Sequence, residues 1–488
     1  MADHDPAPDL PVASAGLGSR ALRNTVLVLA AKVVARLVAL VTVIAMLNHL
    51  GPPRYGEFGT LVSYTAIVGV VLDLGFNVLF VREGARHPHE IQRYLRSVMS
   101  LRLLMSLVTF VLLAAALALA GLDSLLVPGF VLLVLASYAN LLRNGLYAVQ
   151  RLGFEALAVV LESLVLLALV LHGIQANAGT AYFVWAYAAQ NAFSCIYFVV
   201  VLAAKRIAVV GWRWEPALMR EWFWKGLPFA LTFVLSTLYF RIDQPMVYSL
   251  RSHTEAGWYG AAYKPLEALL FVPQTFLAVV FPVLSVYHRE RPAELLSAVN
   301  RFFKALLLMG WPVSVGAFLL AHPLDHTLSL YAESEPSFRI LSLAMVLVFV
   351  NNAYIGALSA SDHQASFTWA AGWSLVANVA LNLALIPSQG AIGASWATVV
   401  TELVLGAVAW VLVRRHVGPV NVVQQSWRVV LAGLVMGAAV YPLRDYGGVH
   451  IAIPIAVGVI VYGGAILLLR AVSKDEISWA RKALALSK

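Results

Sequence analysis

The chain has 488 residues, of which 61% are hydrophobic and only 12% charged, where an ordinary soluble domain carries about 25% charged residues. Its mean hydropathy is +0.80, so lipid is the solvent for most of it and a soluble globular enzyme is excluded. The net charge of +9 is spread over short stretches between apolar segments, which argues against a nucleic-acid surface, and the single cysteine, Cys195, excludes an intrachain disulfide framework and a cysteine zinc site.

Residues 1–19, MADHDPAPDLPVASAGLGS, are acidic, rich in Pro and Ala and lack an apolar stretch. A disordered cytoplasmic tail is expected there, not a signal peptide. Fourteen apolar segments follow, each near the roughly 20 residues a helix needs to cross a bilayer. They run over 24–48, 57–81, 98–120, 125–147, 156–175, 180–204, 222–248, 258–284, 300–321, 337–359, 364–385, 391–413, 425–443 and 450–471. The runs are long and do not alternate, which favours helices over barrel strands. The fold expected is therefore all-α and polytopic. Most of the 34 Lys and Arg fall on one side of these segments, as in Arg82, Arg86, Arg93, Arg96 and Arg102, or Lys205, Arg206, Arg213, Arg220 and Lys225. The other side holds Arg54, Arg251, Arg339 and Arg444. That bias puts both termini in the cytoplasm. The longest external loop, 322–336, is about 15 residues, so no soluble domain is expected on either face. His322, Asp325 and His326 in it lack a third strong metal ligand and read as a solvated turn.

An internal repeat is visible. Tyr55-Gly56 after the first segment returns as Tyr259-Gly260 after the seventh, an offset of 204 residues. The same offset carries Pro88 and Glu90 onto Pro292 and Glu294. Two lobes of six spans with the same orientation are expected, residues 20–210 and 211–416, with a substrate site between them. Residues 417–471 add two further spans, and 472–488 form a C-terminal tail.

Nine ionisable residues fall inside the segments: Lys32, Arg36, Asp73, Glu162, Arg241, Asp243, Lys264, Glu267 and Glu402. At about 3 kcal/mol each at the bilayer centre, they would together cost on the order of 25 kcal/mol if turned to lipid. They must pair or line water, with Glu162 and Glu402 near enough to span ends to snorkel. Lys32 and Arg36, four residues apart, share a helical face that has no acid of its own. Such a face suits a cavity that receives an anion, above all a phosphate; pairing with Asp73 or an acid on another helix is the alternative. Arg241 and Asp243 lie about 200° apart on a helix, so they do not pair with each other, and Asp243 could meet Lys264 or Lys32. Pro228, Pro273, Pro282, Pro312 and Gly310 are expected to loosen helices at depth.

The string NVALNLALIPSQGAIGASWATVVTE, residues 378–402, is the most specific in the chain. Its Asn378, Asn382, Ile386-Pro387, Gly390, Gly393-Ala394 and Ala397-Thr398 resemble the polysaccharide flippases of the multidrug/oligosaccharidyl-lipid/polysaccharide exporter superfamily. LNHLGPPRYGEFGTL (47–61), DLGFNVLFVREGAR (73–86), YFRIDQPMVY (239–248) and AGWYGAAYKPLEALLFVP (256–273) are similar to further stretches of that family, over residues 20–470. The resemblance implies a V-shaped cavity with alternating access and movement of undecaprenyl-pyrophosphate-linked oligosaccharide from the inner to the outer leaflet of a bacterial plasma membrane. It implies that the pyrophosphate meets Lys32, Arg36, Arg241 and Lys264. Asp73 and Asp243 match acidic positions of the family. With Glu267 they are candidates for ion coupling or pairing.

No cofactor is implied beyond coupling to H+ or Na+, and no ATP site is visible. Partners expected are the lipid-linked sugar, the bilayer and polysaccharide assembly proteins, with a monomer the simplest arrangement. A lipid II flippase, an ion-coupled drug exporter and a membrane-embedded polymerase or ligase are the alternatives, in that order. The basic first span is only loosely similar to that of lipid II flippases, and drug exporters of the superfamily usually have twelve spans and an acidic cavity.

Overall fold

The computed structural model describes residues 15–328, 331–444 and 450–473. Residues 1–14 and 474–488, which hold most of the two expected tails, lie outside the described residues, as do the side chains of Asp325 and His326. Every long element is a helix: α1 (Ala15–Asp73), α2 (Phe76–Arg86), α3 (Ile91–Ala120), α4 (Leu126–Ala148), α5 (Leu152–Gln175), α6 (Thr180–Ala204), α7 (Pro216–Arg241), α8 (Asp243–Leu250), α9 (His253–Leu269), α10 (Phe271–Glu290), α11 (Pro292–Leu319), α12 (Ala321–Leu328), α13 (Glu335–Ala360), α14 (Gln364–His416), α15 (Val422–Val440) and α16 (Ala452–Leu468). Among the described residues, 11 helices are long and apolar enough to cross a membrane, and α16 is a shorter apolar one. The protein is an all-α, multi-pass membrane protein.

Two of these helices, of 59 and 53 residues, are far longer than the roughly 20 residues one crossing needs. Each is broken at a glycine. α1 kinks at Gly51, with Pro52 and Pro53 opening the next segment, where a missing N–H costs nothing. α14 kinks at Gly390, whose φ of 59° puts it in the left-handed region that glycine enters without penalty. An ion pair from the neighbouring helix satisfies the backbone groups this kink releases. Glu255 Oε2 accepts from Ala391 N at 3.1 Å, Arg251 Nη1 donates to the Pro387 carbonyl at 3.2 Å, and the two side chains meet at 3.0 Å. A carboxylate at the start of a helical segment is also favoured by the local dipole.

Other breaks follow from proline chemistry. Pro245 cannot donate to the Arg241 carbonyl, and the helix breaks at Ile242, between α7 and α8. Pro273 cannot donate to the Leu269 carbonyl, and α9 gives way to α10 at Leu270. Pro228, Pro282 and Pro312 sit inside continuous helices, so of the prolines expected to loosen spans only Pro273 coincides with a break. A further break, at Leu74 and Gly75, both at positive φ, separates α1 from α2.

Packing divides the helices into two groups. α1 to α6 form one set and α7 to α14 the other, joined where α1 packs extensively on α9 and also on α7 and α8, with α15 resting on α11 and on α16. At one end a single apolar cluster spans both groups and includes Tyr55, Phe58, Phe183, Val247, Tyr259 and Ile386. At the other end there are two clusters. One, around Phe76, Leu95, Leu142 and Phe198, belongs to the first group and is closed by Trp222 of α7. The other, around Leu284, Phe302, Tyr354 and Val413, belongs to the second. The repeated Tyr-Gly pairs sit in the joined end. A side-chain carbon at Gly56 would lie 1.9 Å from the His253 carbonyl oxygen, and one at Gly257 would lie 2.0 Å from that of Pro52. α1 and α9 therefore touch backbone to backbone, a packing open only to glycine.

Candidate functional site

Between the two helix groups lies a cavity of about 600 Å³. α1 and α4 supply Asp73, Ser137 and Asn140 to its wall; α7, α9 and α10 supply Ser236, Thr237, Arg241, Glu267 and Gln274. A narrower space leads from it toward Tyr55 and Tyr259 and is lined by Lys264. Arg241 and Lys264 converge on one carboxylate. Arg241 Nη2 lies 2.6 Å from Glu267 Oε1, and Lys264 Nζ lies 2.8 Å from Oε2. All three side chains keep between a fifth and a third of their surface exposed. Two cations against one anion leave one positive charge in surplus. The guanidinium has five N–H donors and the ammonium three, so both keep donors for an incoming anion.

On the opposite wall Asp73 is paired. Arg102 Nη2 lies 2.9 Å from its Oδ1, and the Ser137 hydroxyl donates to the same oxygen at 2.6 Å. Arg102 also donates to Asn77 Oδ1 at 2.9 Å and to the Ser137 carbonyl. Arg102 was expected among the cytoplasmic basic residues. It is instead 0% exposed, because α3 starts at Ile91 and carries position 102 three turns into the helix. A single Arg so close to the start of an apolar run reads as flanking charge, and only its burial reveals it as the partner of Asp73 behind the wall.

Lys32 and Arg36 do not line this cavity. Lys32 Nζ lies 3.4 Å from Glu155 of α5, so the first-span cation that lacked an acid on its own helix finds one across the helix interface. Arg36 is exposed beside Val33, Val34 and Leu37, which are also exposed.

Ile242 separates the cation and the anion that lie two residues apart. The break there ends α7 on Arg241, aimed at the cavity, and starts α8 on Asp243, aimed into the second helix group. Asp243 is 5% exposed and pairs with neither Lys264 nor Lys32. Its oxygens accept from Tyr259 Oη at 2.8 Å, Asn382 Nδ2 at 2.6 Å and Thr398 Oγ1 at 2.9 Å. Asn382 also donates to Asn378 Oδ1 at 3.0 Å, and its own buried Oδ1 has no hydrogen-bond partner among the described residues. The Asn and Thr of the 378–402 string thus act together on one carboxylate.

Glu162 and Glu402 do not snorkel. Glu162 is held by Arg143 Nη2 at 2.7 Å, a partner on α4 within reach of α5. Glu402 is 3% exposed and bound by Tyr239 and Asn351. Among the described residues, no group of three or more His, Cys, Asp or Glu is placed to hold a metal ion; His322 bonds Glu335 Oε2 at 2.9 Å.

The fold is thus an all-helical membrane fold with a charged cavity between two helix groups. The sequence profile of the family described as "Polysaccharide biosynthesis protein" matches residues 21–288, more than half of the chain, and the chain belongs to that family. No curated protein sequence matches it. Among solved structures it is similar to the lipid II flippase MurJ in an inward closed conformation, at 15% identity and a TM-score of 0.73, over 91% of this chain and 99% of that one. It is also similar to a multidrug resistance MATE family transporter of the MOP superfamily. The inward-facing form matches at 14% identity and a TM-score of 0.64, over 82% of this chain and 99% of that one. The outward-facing form matches at 15% identity and 0.53, over 82% and 98%. These likenesses establish the fold, and the relatives named are a flippase and transporters.

Proposed function

We propose that this protein flips a polyprenyl-pyrophosphate-linked saccharide between leaflets of a bacterial plasma membrane by alternating access. The observation that carries the proposal is the positive surplus of Arg241 and Lys264 over Glu267, where Arg241 and Glu267 line a cavity of about 600 Å³ and Lys264 lines the narrower space beside it. A diphosphate needs such spare charge-assisted donors, the sugar needs the polar walls, and the lipid tail stays in the bilayer. Splitting α1 and α14 at their kinks and adding α16 gives fourteen crossings, two lobes of six and two more. One joined cluster and two parted ones support a V open at the parted end. The better match to the inward-facing transporter than to the outward-facing one supports assigning that end to the cytoplasm, with both termini there. The cavity lies within one chain, so a monomer suffices.

The likeness to a lipid II flippase favours a lipid II type of cargo, while the family description favours the lipid-linked oligosaccharide of polysaccharide synthesis. Vesicles carrying the purified protein decide between them: accessibility of labelled lipid II and of a lipid-linked oligosaccharide is followed in parallel. Movement of one and not the other assigns the cargo, and movement of neither defeats the proposal. Arg241→Ala should lower the rate about tenfold, the worth of one hydrogen bond to a charged group. Arg36→Ala should lower it less, because Arg36 lies off the cavity wall. Wild-type rates in correctly inserted Arg241→Ala protein would remove the phosphate contact.

A second element of the proposal is ion coupling at Asp243. The unused Asn382 Oδ1 beside a carboxylate with no cation supports a bound proton or sodium ion there. Undiminished flipping with both gradients collapsed would eliminate coupling.

A further inference from the structure

Glu402 is a second buried carboxyl in the same helix group, and nothing in the reading above uses it. It lies on α14 one turn beyond Thr398, which donates to Asp243, so both carboxyls border one helical face. Its Oε1 accepts from Tyr239 Oη at 2.9 Å, and its Oε2 from Asn351 Nδ2 at 2.7 Å. Neither partner is charged. The polar groups that face it are Tyr239 from α7, Asp243 from α8, Tyr263 from α9, Asn351 from α13, and Asn378 and Thr398 from α14 itself. None of these is a cation. Arg241, two residues from Tyr239, is engaged with Glu267. An ionised carboxylate enclosed by uncharged groups and a second carboxyl, with no cation, is strongly disfavoured at this depth, so Glu402 calls for a proton.

The surrounding donors fit both protonation states. Asn351 Nδ2 donates to Oε2 in either state and is anchored further by the Glu402 carbonyl at 3.1 Å. A tyrosine hydroxyl donates to a carboxylate and, on rotating, accepts from a carboxylic acid. Rotation of the Tyr239 hydroxyl therefore accommodates gain or loss of the proton with no movement of the carboxyl. A space of about 10 Å³ lies between Glu402 and Asp243, the size of about one water. Phe240, Tyr263 and Leu270 wall it off from the central cavity and also line that cavity.

We propose that Glu402 is a proton-binding site distinct from Asp243, exchanging its proton with water of the central cavity past Phe240, Tyr263 and Leu270. The proton comes from that water and returns to it, and the carboxyl changes by one unit of charge. The inference rests on the carrier reading for its role but not for its test. Full-length protein in lipid vesicles is titrated while its carboxyl stretch is followed by infrared spectroscopy in light and heavy water. The wild type should show a buried protonated-carboxyl band, lost in Glu402→Gln and retained in Asp243→Asn. In the transport assay Glu402→Gln should lose the response of the rate to an imposed proton gradient. Absence of the band from the wild type, or its persistence in Glu402→Gln, overturns the proposal. Should Glu402→Gln not fold, Glu402→Asp must shift the band, and an unshifted band assigns it elsewhere and overturns the proposal equally. The infrared arm needs no cargo, so failure to move any lipid-linked sugar would sink the carrier reading and leave the proton site standing.

Discussion

Arg102 and Asp73 show how a single residue changes meaning once its depth is known. The guanidinium is fully buried and Asp73 is its one anionic partner among the described residues. Asp73→Asn keeps the shape but leaves a buried charge uncompensated, which should destabilise the protein by about 3 kcal/mol. Replacing both, as Arg102→Met with Asp73→Ala, should cost less than Asp73→Asn alone, and a double-mutant cycle on urea unfolding in detergent measures the difference. Additive effects would mean that the pair does not hold the wall. Outside the spans, Glu215 accepts from Arg93 Nε at 2.9 Å and Nη2 at 2.6 Å, and Arg213 lies beside it. These hydrogen bonds, Arg93's foremost, hold the Glu215 carboxyl below the usual glutamate range. Its contribution is therefore present above the ordinary value of about 4.3 and lost as pH falls through the depressed one. The gap in unfolding midpoint between wild type and Glu215→Gln should close in that acid window. A gap independent of pH would show that Glu215 acts through something other than its charge.

The elements were legible from the sequence wherever one physical requirement dictated them. About 20 apolar residues make a crossing, and each apolar segment falls on helix, with α1 and α14 each running through two segments while 57–81, 222–248 and 258–284 each cover a helix break. Proline explains the breaks at Ile242 and Leu270, and of the four prolines expected to loosen spans Pro273 does so, while Pro228, Pro282 and Pro312 sit in helices that stay continuous. A missing N–H breaks a helix only where the surrounding packing does not hold it. The partners of the charges were legible least. Glu155 for Lys32, Arg102 for Asp73 and Tyr259 for Asp243 all come from other helices, and spacing along one helix says nothing about them. The repeat of Tyr-Gly at an offset of 204 residues did mark a junction, for its two copies lie in the contact of α1 with α9. That contact has no room for a methyl group at Gly257. Gly257→Ala should part the two helices and populate a state open at this end. Spin labels at positions 54 and 251, with Cys195 replaced, should report a longer distance. An unchanged distribution would mean that the end is held shut elsewhere.

At the scale of the whole molecule the charges on the two cavity walls are unequal. The Asp73 wall is neutralised by Arg102, while the wall of Arg241, Glu267 and Lys264 keeps a surplus of one positive charge. A carrier has to let go of what it binds, and attraction strong enough to capture but weak enough to release is the condition for throughput. Under the proposed function Glu267 sets that balance, because it occupies a donor of each cation and halves the charge they present. Glu267→Gln frees both and doubles the surplus. It should lower the apparent KM for a diphosphate-linked cargo about tenfold, the gain of one further charge-assisted hydrogen bond. The same change should slow turnover, since a cargo bound more tightly before movement has a deeper well to leave. Arg241→Ala should do the reverse to KM. Initial rates in vesicles over a range of cargo densities separate the two parameters. If Glu267→Gln raises KM instead, the carboxylate is a contact for the cargo's hydroxyls and not a brake on its phosphate.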